Sequence, residues 1–152
     1  MTKFVPPEHC LSERLVRASF KDTDLMGIVH HSSYLNYFES GRVEYMRRRG
    51  IDYALSALGG VHLAVIETGL RYRRPAQFDE LIRVTTRLTC LTRVRVRFDY
   101  RLTRHPESAV LLVEGFTELA CVDHEGAPRP IPDALHSRLL GAETEPRPID
   151  TV

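Results

Sequence analysis

The sequence predicts an α+β fold built as one domain. Three observations predict it: a helical stripe between about Ser33 and Arg49, a strand-rich second half from about Val61 to Asp123, and the order of the elements. That order is one strand, one long helix, then about four strands in succession, which suits antiparallel hairpins and not the strand–helix alternation of a parallel sheet.

The first strand is expected over Leu15–Phe20, where β-formers alternate before the turn signal Asp22-Thr-Asp24. At about 100° per residue, Tyr34, Phe38, Gly41 and Tyr45 then share one stripe, with Leu35 and Met46 beside it, while Asn36, Ser40, Glu44 and Arg47 face away. Ser32 or Ser33 is the expected cap and Gly50 the stop. Gly41 is costly inside a helix but lets another backbone approach closely. A short helical or irregular piece at Tyr53–Leu58 ends at Gly59-Gly60. Strands follow at Val61–Tyr72, closed by Arg73-Arg74-Pro75, and at Leu81–Thr89. Val94–Leu102 alternates apolar and charged residues throughout, so one face is core and the other is wet. A last strand, Ala109–Val122, and a short amphipathic helix, Asp133–Leu140, lead to a tail expected to be mobile as far as Val152.

At 152 residues the chain accommodates one domain with a proper core and leaves no room for a second. A formal net charge of +1 supplies no bulk field that would draw it to nucleic acid or to an anionic membrane. Cys10, Cys90 and Cys121 are odd in number and form no CxxC pair, which argues for a reducing cytoplasm and against a disulfide scaffold or a structural zinc site. The N-terminus lacks the pattern of a secretory signal, and no apolar run reaches the roughly 18 residues of a membrane-spanning helix.

The chemistry concentrates in Asp22-Thr-Asp24-Leu-Met-Gly27-Ile-Val-His30-His31. A helix start presents unpaired N–H groups and the positive end of the dipole, a site for an anion or a developing oxyanion, and His30 to Ser33 stand there. Gly27 permits positive φ and close approach of backbone to a ligand. Asp24, upstream, is a carboxylate suited to act as nucleophile or as general base toward water, and the combination fits acyl transfer. Plainer readings stand beside this one. The Asp-Thr-Asp run closes a strand as an Asx-type turn, and the histidines pack or cap. A metal site would need the two aspartates and two histidines to converge without any supporting spacing, so none is expected. Glu39 and Arg42, three apart within the apolar arc, are expected to form an ion pair. His9, His62, His105, His124 and His136 receive no role.

The run from Phe20 to Arg42, FKDTDLMGIVHHSSYLNYFESGR, closely resembles the opening of the hotdog-fold acyl-CoA thioesterases. The nearest likeness is to the 4-hydroxybenzoyl-CoA thioesterase-like group and its Tol-Pal-associated branch, and it spans roughly residues 14–140, including Arg74-Pro75 and Pro130-Ile-Pro132. It implies a hotdog fold, a curved antiparallel sheet wrapped around one long central helix, in homodimers or homotetramers with active sites between subunits. It also implies a single thioesterase domain over 1–152, an acyl-CoA substrate, and no cofactor. On the matching positions it implies that Asp24 is the catalytic carboxylate and that His31 supplies the oxyanion amide; in the Tol-Pal-like branch the ring is engaged as well, whereas in the 4-hydroxybenzoyl-type enzymes an aromatic residue stands there and only the amide is used. It places Gly27 and Tyr34 at the substrate and Arg93 near the nucleotide phosphates; a solvated strand face is the plain reading of Arg93, Arg95 and Arg97. Where many relatives carry an aromatic residue before this histidine, the chain has His30.

The function expected is hydrolysis of an acyl-CoA thioester to free acid and CoA. Two rivals are a hotdog dehydratase, whose His-centred motif is not found, and a non-catalytic acyl-thioester-binding or scaffold protein of the same fold. No GxSxG nucleophile elbow is present.

Overall fold

One long helix lies against a single curved sheet whose five antiparallel strands run in the order β1-β3-β4-β5-β2. The computed structural model describes residues 5–144. The strands are β1 (Leu11–Arg17), β2 (His62–Tyr72), β3 (Leu81–Leu91), β4 (Arg95–Arg104) and β5 (Leu111–Val122), and the helices are α1 (Tyr34–Arg47), α2 (Tyr53–Leu58) and α3 (Asp133–Leu139). The α+β hotdog architecture expected from the sequence is therefore the one found.

β1 departs from expectation: it begins at Leu11 and ends at Arg17, and Phe20–Asp22 is a 3-10 turn. Its polar first half gave no apolar alternation, yet each side chain has a partner: Ser12 bonds Arg49 and Glu143, Glu13 pairs with Arg83, and Arg14 with Glu44. The charged alternation of β4 reads as expected, with Val96, Phe98, Tyr100 and Leu102 all buried.

α1 buries Tyr34, Phe38, Gly41, Tyr45 and Met46, as the stripe predicts, and also Tyr37 and Glu44; Leu35 is exposed. Glu44, expected to face solvent, is 3% exposed because β1 covers that side of the helix and brings Arg14 to it; Arg47 and Arg48 complete its ion pairs. The expected Glu39–Arg42 pair is not made. Glu39 points to solvent, while Arg42 turns toward the sheet and donates to Tyr100 Oη at 3.3 Å and Thr117 Oγ1 at 3.4 Å. The cap also differs: Ser33 makes no side-chain cap, and the His30 ring takes that place on the 3-10 turn His31–Ser33 that leads into α1. Beyond α3, Gly141 to Thr144 are tied down through Arg49 to Gly141 O and Thr144 N–H to Arg48 O; the rest of the expected mobile tail, 145–152, lies outside the described residues.

At Gly41 the helix sits directly on β3. A Cβ there would lie 2.4 Å from Thr86 Oγ1 and 2.7 Å from Val84 Cγ1, closer than packed atoms approach. The other end of the seat is Asp22, 8% exposed. Its carboxylate accepts from Ser19 N–H (3.0 Å), Ser19 Oγ (2.9 Å) and Tyr37 Oη (2.9 Å), which locks the chain before α1 onto the helix itself. Burial pushes the Asp22 carboxyl up, but the bonds from Ser19 and Tyr37 outweigh it and hold it below the ordinary aspartate value.

Two outcomes follow from this packing. Gly41→Ala is expected to destabilise by about 1–2 kcal/mol in denaturant unfolding, the overpacking cost exceeding the gain in helix propensity. Asp22→Asn should cost about 1.5–3 kcal/mol at neutral pH. Because the folded-state pKa of Asp22 is lowered, its contribution is complete above the unfolded-state pKa and disappears as pH falls through the folded one. The stability gap between wild type and Asp22→Asn should therefore be constant near pH 7 and shrink below about pH 4, measured by thermal melts across pH.

Candidate active site

Between Thr23 and Val29, which bridge one another, the chain makes a tight loop tipped by Gly27. Asp24 N–H donates to Ile28 O at 2.9 Å and Gly27 N–H to Asp24 O at 3.0 Å, with Gly27 at φ +75°, a conformation that side-chain-bearing residues rarely adopt. The loop is stitched to the segment after β2 by Val29 N–H to Ala76 O (2.8 Å) and Phe78 N–H to Gly27 O (3.1 Å). Asp24 does form the Asx-type turn, its Oδ1 accepting from Met26 N–H at 2.8 Å, which fixes one oxygen and leaves the other for a ligand.

Asp24 and His31 border a cavity of about 330 Å³. Ile28, Val29, Tyr34, Tyr72 and Pro75 form its mainly apolar walls, and Arg73 and Arg74 also line it. As the first residue of its 3-10 turn, His31 has an amide with no acceptor inside that turn, and no other described residue accepts from it. Its carbonyl accepts from Tyr72 Oη at 2.9 Å. Its ring is exposed and packs on the His30 ring, with centroids 4.1 Å apart.

Tyr34, 2% exposed, walls the cavity and accepts from Ala76 N–H at 3.2 Å; burial raises its phenol pKa, against the pull of that bond. It is a neutral, fixed wall. Of the residues singled out by sequence, the cavity thus gathers Asp24, His31 and Tyr34. Gly27 shapes the loop without lining the cavity. Arg93 is not brought there: it lies in the β3–β4 turn, beside the end of β4 where Arg95 pairs with Ala120, whereas Tyr72 registers with Val113 at the other end of the sheet. Sequence reasoning missed Tyr72, Arg73 and Arg74 as cavity residues, since Arg73-Arg74-Pro75 signalled only a strand end, and missed the Tyr37–Asp22 bond.

Among the described residues no group of three or more His, Cys, Asp or Glu side chains could hold a metal ion, and no helix is long and apolar enough to cross a membrane. The site offers a carboxylate, a free amide at the start of a helix and an apolar chamber, which suits attack on an activated carbonyl.

Comparison with known proteins agrees with this architecture. A family model described as the thioesterase-like superfamily matches residues 18–139. The acyl-CoA thioesterase YbgC of Haemophilus influenzae is 33% identical over 110 residues, covering 71% of this chain and 78% of that protein. Among solved structures, a hypothetical protein from Thermus thermophilus superposes with a TM-score of 0.78 at 38% identity, over 84% of this chain and 96% of its own. The DHNA-CoA thioesterase from Staphylococcus aureus superposes at 0.75 with 26% identity, over 79% of this chain and 80% of its own. With the sheet wrapped on α1 and the match running from the end of β1 to α3, the chain belongs to the thioesterase-like superfamily, as a thioester hydrolase of the hotdog fold.

Proposed function

We propose that the protein hydrolyses an acyl-CoA thioester to a free acid and CoA, with Asp24 as the reacting carboxylate. The observation that supports this reading is that Asp24 and His31, whose amide has no acceptor among the described residues, line one cavity. Asp24 attacks the thioester carbonyl or takes a proton from the attacking water, and the oxygen of that carbonyl gathers negative charge as it becomes tetrahedral. The His31 N–H, at the positive end of the helix, meets that charge; removing one such donor costs about 2.7–4 kcal/mol in acyl-transfer enzymes. The C–S bond then breaks and thiolate leaves without needing a Ser-His-Asp triad; where Asp24 is the nucleophile, water next hydrolyses the acyl-aspartate anhydride, releasing the acid and restoring the carboxylate. Membership of the Tol-Pal-associated branch, a single domain over 1–152 and a cytoplasmic location are parts of the same proposal.

The proposed working form is a homodimer or homotetramer with sites between subunits. β2 stands at one edge of the sheet, and Val65 and Ile66, the latter skipped by the register where it shifts between Val65 and Glu67, are each 49% exposed. Leu25 and Met26, fully or largely exposed beside Asp24, also present apolar surface for a second copy. Arg93 reaches substrate phosphates in this scheme only from a neighbouring subunit, because its own cavity lies at the opposite end of the sheet.

Two measurements test the proposal. Thiol release from a panel of short, long and aromatic acyl-CoAs should show turnover of at least one ester, with Asp24→Asn losing at least about 100-fold, or roughly 2.7 kcal/mol. Binding of every ester without release by the wild type would move the reading to a non-catalytic acyl-thioester-binding protein. Ile66→Asp should shift the species seen in light scattering toward the monomer, because it puts a charge on the exposed edge; an unchanged mass sinks the β2 interface.

A further inference from the structure

We propose that His30 is a positioning residue: its imidazole, with Nδ1 as acceptor, caps the turn that opens α1 and props the His31 ring. The inference rests on the reading of His31 as part of the active site and adds a residue to it.

The cap position of a helix usually holds Ser, Thr, Asp or Asn, whose side-chain oxygen accepts an orphan N–H. Here His30 does so, its Nδ1 lying 3.2 Å from Ser32 N and 2.8 Å from Ser32 Oγ. A backbone N–H can only donate, so Nδ1 must be the acceptor and the ring proton must reside on Nε2. The backbone of His30 is held independently, by its N–H to Asp22 O (2.8 Å) and by Ser33 N–H to its carbonyl (2.9 Å), so the ring is aimed by fixed chain.

The ring of His31 has no such anchor. Among the described residues it makes no hydrogen bond, and the contact that orients it is the His30 ring at 4.1 Å and 34°. Without the His30 ring, the Ser32 N–H loses its acceptor and the His31 ring loses its stacking partner. The titratable and charged groups around this turn are His31 on the turn itself, Asp22 and Asp24 from the preceding loop, and Tyr72, Arg73 and Arg74 from the end of β2. The Asp22 carboxylate is turned away onto Ser19 and Tyr37, so it offers His30 only its backbone carbonyl.

The experiment combines nitrogen-15 NMR with thiol release on the wild type, His30→Ala and His30→Asn. At pH 8 the His30 ring should show an unprotonated Nδ1 and a protonated Nε2, with the Ser32 amide protected from exchange. His30→Asn, which can still cap, should keep that protection, and His30→Ala should lack it. In turnover, His30→Ala should lower kcat about tenfold with KM changed by less than about twofold, and His30→Asn should recover part of that loss. A proton on Nδ1 at pH 8, or a Ser32 amide equally protected in His30→Ala, overturns the proposal. So does an unaltered kcat in His30→Ala. Absence of thiol release from the wild type would instead count against the hydrolase reading, and the NMR result would still decide the cap.

Discussion

The contact on which the rest of the structure depends is the seat of α1 on the sheet. Gly41 removes the side chain that would otherwise hold the helix off Val84 and Thr86, so the two backbones close up. Phe38 then stacks on Tyr100 at 4.3 Å, and Tyr45 meets Phe98 edge-on at 5.1 Å. The approach is tight enough that Thr86 Oγ1 is buried with no hydrogen-bond partner among the described residues. Burying a hydroxyl in this way costs free energy, offset by the dispersion and apolar burial gained along the whole face of the helix.

A helix fixed in this way still needs its ends set, and the two ends use different chemistry. At the N-terminal end, Asp22 ties the incoming loop to Tyr37, and Ser33 Oγ bonds the Asp22 carbonyl at 3.1 Å, so the start of α1 and the Asp24 loop move as one piece. At the C-terminal end, the guanidinium of Arg49, 1% exposed, lies 3.5 Å over the Tyr45 ring and donates to Ser12 Oγ and to the carbonyls of His9, Leu11, Tyr45 and Gly141. A buried cation with that many acceptors is satisfied locally, and it joins β1, α1 and the segment after α3. Glu44, beside it, is pushed up by burial but held below the usual carboxylate range by Arg48, Arg47 and Arg14.

The consequence for chemistry is an uneven distribution of rigidity. The groups that position the site, Asp22, Tyr34, Tyr37 and Gly41, are buried and fully tied. The groups that would meet substrate, Asp24 and His31, sit at the rim of the cavity with exposed apolar residues beside them. Such a site is preorganised from behind and open in front, the arrangement expected where an acyl chain must enter and a second surface can close over it.

Much of this was legible in the sequence. The period of the helix and the strict alternation of β4 each follow from one-dimensional spacing, because core-facing residues repeat every 3.6 or 2 positions. The Asp24–Gly27–His31 run was equally visible, since loop geometry and a helix start leave local marks. What the sequence by itself determined is therefore the element order and the α+β class, with the hotdog fold following from the family resemblance and the Asp24–His31 stretch marked as the candidate site. Only the tertiary structure decided which charges are inside and which residues complete the cavity. Glu44 is buried and Glu39 is not because β1 covers one flank of α1, a fact of layering that no helical period contains. Tyr72 joins the site because the end of β2 passes the start of α1, some forty residues away along the chain; the His30 cap on Ser32, two residues on, is instead the local capping reading that the sequence already offered. Local pattern reports a residue's own element; long-range contact reports its neighbours, and a functional site is made of neighbours.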